Sequence, residues 1–423
     1  MIDIKDIREK PEFYKKNIKK RGFEEKKIEK LLSLDISWRK LKKDVDSLRS
    51  RRNQISEEIN SAKKQGNSIS SFIKEAKEIP LNLKSKEKKL DEIEKERMSL
   101  WKNIPNILSE DVPIGGAEKN KVLKTFGKIS DKIPKLGHAE IMEKYNLIDT
   151  EKAAQISASR FYYLKNELVK LNFALINFAM DFLSKKGLKL IQTPYMLNRN
   201  ALEGAITLDL FEEAIYKIEN EDLYLIGTAE HAINAFKSNE IIPNKDLPLR
   251  FGGFSTSFRK EAGSHGKDTK GIFRVHQFEK IEQFVFCKPE DSWKEFDFIL
   301  KNSIEIYKAL GIPFRVVLLS SKETSKTSTK TIDLEGWYPS QKKYCELGSC
   351  SNCLDYQARR SNIRYQEGNE LRYVNTINNT AIATQRMMTC IVENYLKKDG
   401  SIKIPQVLWK YFGKKEISAP LSS

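Results

Sequence analysis

The sequence predicts an α+β protein: a mainly antiparallel β-sheet flanked by helices, preceded by an N-terminal antiparallel α-helical coiled-coil hairpin. Three observations lead to this fold class. Apolar residues recur at heptad spacing in two runs within the first hundred or so residues. Beyond a loop with Pro113, Gly115 and Gly116, segments rich in aromatic and β-branched residues are punctuated by glycine. Amphipathic helices are interspersed there without the regular strand–helix alternation of a parallel sheet.

The heptad runs predict the hairpin. Apolar positions three and four apart, with Arg52 as an interrupted seam position, form a first run of Trp38, Leu41, Val45, Leu48, Ile55, Ile59 and Ala62. A second run, interrupted by Arg97, comprises Leu83, Leu90, Ile93, Leu100 and Ile104. The segment QGNSISSF between them predicts a turn, so the two helices should fold back on each other. We expect Pro80 to open or kink the second helix.

The charge is strongly positive, with 75 Lys and Arg against 58 Asp and Glu, a formal net charge of +17. Residues 1–110 hold 29 of the basic and 20 of the acidic residues, a net +9. Such a surface predicts a polyanionic partner, because Lys and Arg neutralise phosphates and release counterions. Charge alone equally fits a lysine-rich solvated surface, and the hairpin alone equally fits a dimerising coiled coil. We predict two domains, residues 1–110 and 111–423.

The second domain supplies the predicted sheet and its flanking helices. Strands are predicted at residues 223–226, 250–257, 272–286, 314–319 and 372–383. Helices are predicted at residues 164–185, 293–310 and 386–396.

Residues 258–282, FRKEAGSHGKDTKGIFRVHQFEKIE, are the most informative segment. They predict a strand, a loop and a returning strand, the loop glycines being Gly263, Gly266 and Gly271. Arg259 and Glu261 are two residues apart, so a strand would point both to one face, where they could grip a phosphate and an adenine amino group. Arg274 and Glu282 share parity in the returning strand. Charge alternation alone would also fit a surface hairpin with cross-strand salt bridges.

This segment closely resembles the second signature motif of class II aminoacyl-tRNA synthetases, in the form carried by the seryl-tRNA synthetase family. Further resemblances follow in the family's order. GLKLIQTPYM from Gly187 resembles the first motif, which builds the family's dimer interface, and Thr228-Ala229-Glu230 resembles its serine-binding TAE element. ELGSCSNC from Glu346, followed by DYQARR, matches a further block, and NTAIATQR ending at Arg386 resembles the third motif. The basic hairpin resembles the family's tRNA-binding arm.

The resemblance implies a class II synthetase-like catalytic domain at residues 111–423 and a serine–tRNA ligase activity. Such an enzyme activates L-serine with ATP and transfers it to the 3′ end of tRNA(Ser), with tRNA(Sec) left open as a second acceptor. It implies ATP as substrate, Mg²⁺ as cofactor, and a homodimer. Arg259 would hold the α-phosphate and the serine carboxylate, and Arg386 the γ-phosphate, as the catalytic pair.

The other implied roles are binding roles. The ATP-binding residues implied by the resemblance are Arg259, Lys260, Glu261, Val275, Glu346, Leu347, Gly348, Ser349 and Arg386. The magnesium ligands would be Glu346 and Ser349, since this hard cation prefers oxygen donors. The serine-binding residues would be Thr228, Ala229, Glu230, Arg259, Glu282 and Thr380.

The cysteines and the N-terminus predict a cytoplasmic protein. Five cysteines are an odd number and do not form a disulfide framework, and the N-terminus has no apolar signal-peptide core. Cys350 and Cys353 form a CxxC, which leaves zinc or redox chemistry as an alternative, although the family's block carries the same cysteines without needing them as ligands.

Three other kinds of protein compete with this prediction. A synthetase-like paralogue that loads an amino acid onto a carrier would lack the long basic hairpin. A non-enzymatic, nucleic-acid-binding protein built on an inactive synthetase scaffold would have lost the charged site residues. A proline or threonine synthetase carries an anticodon-binding domain after the third motif, whereas only 37 of the 423 residues follow Arg386. The Ser- and Thr-rich segment 320–331, and Thr380 with Ala381 where many members have Ser and Gly, depart from the family's pattern.

Overall fold

The computed structural model describes residues 1–129, 136–207, 214–261 and 270–420. The chain divides into two compact units, Ile2–Ile104 and a second made of Met1 with Pro105–Ser423. The domain boundary predicted at residues 110 and 111 stays a prediction. In the parts that the structure describes, no helix is long and apolar enough to cross a membrane.

The first unit is helical and confirms the predicted hairpin. Its helices are α1 (Ile4–Glu9), α2 (Pro11–Lys20), α3 (Lys26–Lys64) and α4 (Ser70–Lys102). The long helices α3 and α4 contact each other along the heptad stripe, where the buried side chains are Val45, Ile55, Ala62, Ile79 and Leu83. Burial of this shared stripe stabilises two helices that would each be marginal alone.

Pro80 does not open the second helix, so that part of the prediction is wrong, and the kink stays a prediction. Helix α4 begins ten residues earlier, at Ser70, and continues through the proline. Proline removes one helical hydrogen bond, but Ile79 and Leu83 on either side of it are buried, and their packing offsets the local cost.

The two arginines on the predicted seam have different environments. Arg52 is exposed, whereas Arg97 is buried at the end of the hairpin near α1. The Arg97 guanidinium donates to Asp35 Oδ1 at 2.9 Å and lies 4.2 Å from the centre of the Trp38 ring. Arg8 Nε lies 3.5 Å from the second oxygen of Asp35, so the buried carboxylate has two cationic partners.

The second unit contains the sheet. Its strands are β1 (Lys121–Phe126), β2 (Ile148–Asp149), β3 (Tyr163–Leu164), β4 (Lys189–Gln192), β5 (Met196–Leu197), β6 (Tyr224–Leu225), β7 (Ile241–Ile242), β8 (Leu249–Phe258), β9 (Gln277–Cys287), β10 (Phe314–Leu318), β11 (Lys330–Tyr338), β12 (Lys343–Leu354), β13 (Arg364–Glu367), β14 (Glu370–Tyr373), β15 (Asn375–Ala383), β16 (Ile402–Lys403) and β17 (Glu416–Ile417). Its helices are α5 (His138–Lys144), α6 (Thr150–Ile156), α7 (Asn166–Lys185), α8 (Arg199–Ala205), α9 (Ala229–Phe236), α10 (Ser292–Leu310), α11 (Tyr356–Ser361), α12 (Thr384–Tyr395) and α13 (Trp409–Phe412).

Eight of the described strands form the main sheet, in the order β1-β10-β11-β12-β15-β9-β8-β4. Every neighbouring pair is antiparallel except β4 with β8. Helices α7, α10 and α12 pack against the sheet, and β15 at its centre is buried along its whole length. The predicted antiparallel sheet flanked by helices is confirmed.

The predicted strand boundaries need three corrections. The returning strand starts at Gln277 rather than at residue 272, and residues 372–383 form two strands that separate at Val374. Strands β11 and β12 were not predicted, because they carry many polar residues whose partners lie on neighbouring strands. Segment 320–331 is the Ser- and Thr-rich segment that departs from the family's pattern. Its buried hydroxyls, such as those of Ser320 and Thr324, donate hydrogen bonds to backbone carbonyls.

Candidate active site

A cavity that opens to solvent, with about 550 Å³ of empty space when that solvent is included, lies against the sheet where β9, β12 and β15 run side by side. It is lined by nine of the residues predicted for ATP, serine or metal binding: Arg259, Glu261, Val275, Glu346, Leu347, Gly348, Ser349, Thr380 and Arg386. These residues are separated by up to 127 positions in the sequence, so the fold rather than local spacing brings them together.

Arg259 and Glu261 reach the cavity by a different route from the one predicted. Strand β8 ends at Phe258, so strand alternation does not place them on one face, and that prediction is wrong. The chain turns instead, because Glu261 adopts a left-handed backbone conformation with φ of 49°. Lys260 between them donates its backbone N–H to Ala214 O at 2.9 Å and does not line the cavity.

Backbone contacts hold Arg259 in place. Its Nε donates to Gly227 O at 3.1 Å, and its backbone N–H donates to His276 O at 2.9 Å. His276 Nδ1 lies 2.8 Å from the Arg259 carbonyl oxygen and 2.9 Å from the Tyr216 hydroxyl. His276 therefore supports the arginine from behind and does not itself line the cavity.

Arg274 and Val275 line the cavity from the segment that precedes β9. The prediction that Arg274 shares strand parity with Glu282 is therefore wrong, because the strand forms only from Gln277. Arg274 Nε pairs with Glu261 Oε2 at 2.5 Å, so this loop and the end of β8 are joined by charge. Of the motif's other residues, Gly263, His265 and Gly266 lie outside the described residues.

Arg386 and Glu346 form the ion pair of the opposite wall. Arg386 lies in the first turn of α12, and its Nη1 is 3.0 Å from Glu346 Oε2 and 3.1 Å from the Glu346 carbonyl oxygen. The Arg386 guanidinium lowers the pKa of Glu346, so this carboxylate is ionised at neutral pH. The guanidinium carbon lies 5.2 Å from the centre of the Phe273 ring, which also lines the cavity.

Two of the predicted serine-binding residues, Thr228 and Glu282, contact the same lysine. Lys280 Nζ lies 3.2 Å from Thr228 Oγ1 and forms an ion pair with Glu282, whose side chain is 1% exposed. Thr380 on β15 is in register with Glu282 on β9, and Thr228 caps α9 by accepting from Glu230 N. Burial raises the pKa of Glu282, with Lys280 opposing the shift.

Glu230 is held by two amides. Its Oε1 accepts from Gln357 Nε2 at 2.7 Å and from Asn378 Nδ2 at 2.9 Å. Burial, and then the negative charge of Glu282, raise the pKa of Glu230 to about 7. Ala229 beside it is fully buried in an apolar cluster and presents no side chain to the cavity.

Several residues that shape the site were missed by sequence reasoning. The cavity is also lined by Phe273, Phe278, Lys280, Ala383 and Gln385. Lys280 could have been found, since it stands two residues before Glu282 in one strand and so shares its face. Asn378 has the same relation to Thr380. Gln357, on α11, lies in the DYQARR block that resembles the family, but no role was assigned to it.

The residues predicted for magnesium fit that ion. Glu346 offers an ionised carboxylate, and Ser349 on the same strand adds a hydroxyl next to the cavity. One or two protein oxygens are typical where substrate phosphates complete the coordination. The CxxC cysteines, Cys350 and Cys353, are fully buried, and the described ranges contain no group of three or more His, Cys, Asp or Glu side chains that could hold a metal.

Comparisons with known proteins first define the class. Residues 213–395 match the family described as tRNA synthetase class II core domain (G, H, P, S and T), and residues 1–108 match the family described as Seryl-tRNA synthetase N-terminal domain. The Giardia lamblia prolyl-tRNA synthetase structure shares the fold, with a TM-score of 0.56 at 18% identity over 64% of this chain and 54% of that one. The fold is that of a class II aminoacyl-tRNA synthetase.

Full-length relatives narrow the class to one family. The serine–tRNA ligase of Nitrosopumilus maritimus is 47% identical over 99% of this chain and 100% of its own length. The crystal structure of seryl-tRNA synthetase from Pyrococcus horikoshii complexed with ATP has a TM-score of 0.90 at 42% identity, covering 99% of this chain and 100% of that one. The Naegleria fowleri cytoplasmic enzyme in complex with AMP has a TM-score of 0.83 at 37% identity, covering 97% and 96%. The chain belongs to the seryl-tRNA synthetase family.

Proposed function

We propose that this protein activates L-serine with ATP to seryl-adenylate and then transfers the seryl group to the 3′ end of tRNA(Ser). The chain is an aminoacyl-tRNA ligase, as its family membership states. The observation that carries the proposal is the convergence of Arg259 and Arg386 on one cavity, beside a polar pocket formed by Thr228, Glu282 and Thr380.

ATP is the substrate that the cationic walls suit. Arg259 would hold the α-phosphate and Arg386 the γ-phosphate, because guanidinium groups bind phosphate oxygens bidentately. Glu261 would accept from the adenine amino group, and Val275 would lie against the base. The positions of Leu347 and Gly348 along the same cavity suit backbone contact with the nucleotide, and a side chain at Gly348 would clash with Thr380.

Glu346 and Ser349 would hold Mg²⁺ by oxygen donors. When bound, the ion supplies positive charge that offsets the phosphate oxygens. Without substrate, Arg386 neutralises Glu346 at 3.0 Å and so keeps this carboxylate in place.

The serine pocket selects by its buried polar groups. Thr228, Glu230 and Glu282 would receive the ammonium and hydroxyl of serine, with Thr380 completing the pocket. Alanine would leave these groups without a partner, and such a site rejects the analogue that lacks a hydroxyl by a large factor. The wall formed by close packing at Gly348 and Thr380 would exclude larger side chains less strongly.

The reaction needs the reacting groups to be held in position and the phosphate charge to be stabilised, and it needs no covalent enzyme intermediate. The serine carboxylate oxygen attacks the α-phosphorus, and pyrophosphate leaves from the opposite side. Arg259 would touch both reacting groups, holding the carboxylate and the α-phosphate within bonding reach. In the second step a ribose hydroxyl of the tRNA end attacks the seryl carbonyl, and AMP leaves.

We further propose that residues 1–110 form the tRNA-binding domain and residues 111–423 the catalytic domain. The basic surface of α3 and α4 supports the first assignment, since phosphate neutralisation supplies much of the affinity for nucleic acid. We propose that the protein is a cytoplasmic homodimer that pairs through the first-motif region near Gly187. A charging assay with tRNA(Sec) decides whether that tRNA is a second acceptor.

The test is ATP–pyrophosphate exchange with each of the twenty amino acids, followed by charging of total tRNA. Exchange should depend on serine, and the charged fraction should be the serine isoacceptors. Stronger exchange with another amino acid would overturn the substrate. Exchange without any charging of tRNA would favour a carrier-loading paralogue instead.

A further inference from the structure

One buried cation in the serine pocket has no role in the function proposed above. The Lys280 side chain is 11% exposed, lines the cavity and forms an ion pair with Glu282. Its Nζ also lies 3.2 Å from Thr228 Oγ1. The Lys280 ammonium is thus bound by two of the groups proposed to receive the ammonium of serine.

The sheet fixes where this lysine can point. Lys280 and Glu282 share one face of β9, and Lys280 is in register with Ser255 on β8 and Ala383 on β15. Both neighbours are small and so leave the long lysine side chain room within the cavity wall. Burial of a lysine among carboxylates is stable only when its charge is compensated, which Glu282 provides here.

A second ammonium cannot take the same position without displacing the first. Two cations sharing Glu282 and Thr228 at hydrogen-bond distance would repel each other, because burial of the Lys280 and Glu282 side chains limits screening by water. Lysine carries its charge on a flexible four-carbon stem, so its head can move while its backbone stays in the strand. Serine also carries a carboxylate close to its ammonium. When the serine ammonium displaces Lys280 from Glu282, this carboxylate can become the new partner of the lysine.

We propose that Lys280 is a specificity-determining residue of the amino-acid site, which holds the ammonium position in the empty pocket and moves to the substrate carboxylate when serine binds. A ligand then binds the pocket with full affinity only if it carries both an ammonium and a carboxylate. The pocket discriminates against simple amines that resemble serine but lack the acid group. This inference rests on the proposed function.

The test compares two ligands on the full chain by calorimetric titration, so that no turnover is needed. L-serine carries both groups, and ethanolamine keeps the ammonium and hydroxyl without the carboxylate. In Lys280→Met we expect serine to bind about tenfold more weakly and ethanolamine about tenfold more tightly. Serine loses a carboxylate contact, whereas ethanolamine no longer has to displace a cation.

Two further variants keep the result interpretable. Lys280→Gln should show the same opposite shifts even where Lys280→Met folds poorly, and thermal melting and ATP affinity report on folding in both. Lys288→Met, a partly exposed lysine just beyond the same strand, should leave both affinities unchanged. If both ligands weaken together, or neither changes, Lys280 only stabilises the pocket and the inference is wrong. If the parent protein fails to bind serine at all, the proposed function fails instead.

Discussion

Charged side chains do different work in the two units of this protein. In the hairpin, Arg49 and Glu87 pair at 2.7 Å across α3 and α4, with side chains 49% and 39% exposed. In the second unit, Lys280 and Glu282 pair with side chains 11% and 1% exposed. Water and salt screen the first pair, whereas the second is held in a fixed place by its surroundings. The same ion-pair chemistry thus gives a solvated surface in one unit and a buried pair at the cavity in the other.

The largest expected effect comes from removing the central cation of the cavity. Arg259→Ala should lower serine-dependent pyrophosphate exchange by about a thousandfold, because charge at the α-phosphate loses its main partner. Filter binding should show tRNA affinity close to that of the parent. Parallel loss of exchange and tRNA binding would contradict the division of labour between the two units.

The Arg97–Asp35 ion pair of the hairpin is buried, like the Lys280–Glu282 pair, and it gives the second test. Arg97→Met should cost about 3 kcal/mol of unfolding free energy, because it removes the main partner of buried Asp35. The matched Arg49→Met, on an exposed pair, should cost no more than about 1 kcal/mol. Urea unfolding of the full chain measures both. Equal costs would show that burial does not separate the two arginines.

The outer hairpin should matter for tRNA and not for adenylate formation. Replacing residues 47–84 by a short Gly-Ser turn keeps the Asp44–Lys86 pair and the Arg97 cluster intact. Charging efficiency with tRNA should fall about a hundredfold, and its salt dependence should become shallower, since fewer phosphates are neutralised. Pyrophosphate exchange in the same preparation is the control. A comparable loss of exchange would rule out a separate binding arm.

A pH effect distinguishes the buried carboxylates from the solvated ones. The pKa of Glu230 is raised to about 7, so in the free enzyme this group gains a proton as the pH falls through that value. A protonated Glu230 cannot pair with the serine ammonium. The kcat/KM for serine should therefore fall about tenfold per pH unit below 7.

The control variants for this pH effect are both single glutamates. Glu230→Gln should flatten the profile at a low value, and Glu305→Gln, on a partly exposed pair with Lys186, should keep the parent profile. A parent profile that stays flat as the pH falls below about 7, the pKa of Glu230, would show that Glu230 does not meet the substrate ammonium.

The sequence predicted what local pattern controls. Heptad spacing predicted the hairpin, and ordered motifs predicted that Arg259, Glu346 and Arg386 belong to one site. It did not distinguish Arg52 from Arg97, because the Asp35 and Trp38 contacts of Arg97 lie about sixty residues away in the chain. The environment of a seam arginine is a tertiary property.

The sequence predicted which residues form the site better than it predicted how those residues are arranged. The strand-face explanation for Arg259 and Glu261 was wrong, because β8 ends at Phe258, before both residues, and where a strand ends depends on its neighbours. Lys280 was overlooked although its spacing from Glu282 was visible. Gln357, which positions Glu230, lies in the DYQARR block, which resembles the family but to which no role was assigned.

Thr228 has two tasks, and this limits how the enzyme can be redesigned. Its hydroxyl accepts from the Glu230 backbone at the start of α9 and also contacts the Lys280 ammonium. A substitution meant to change amino-acid preference would also remove a helix cap, at a cost of about 1 kcal/mol. Engineering of a new substrate would therefore begin at Thr380 on β15, which caps no helix in the described contacts, and would leave the start of α9 untouched.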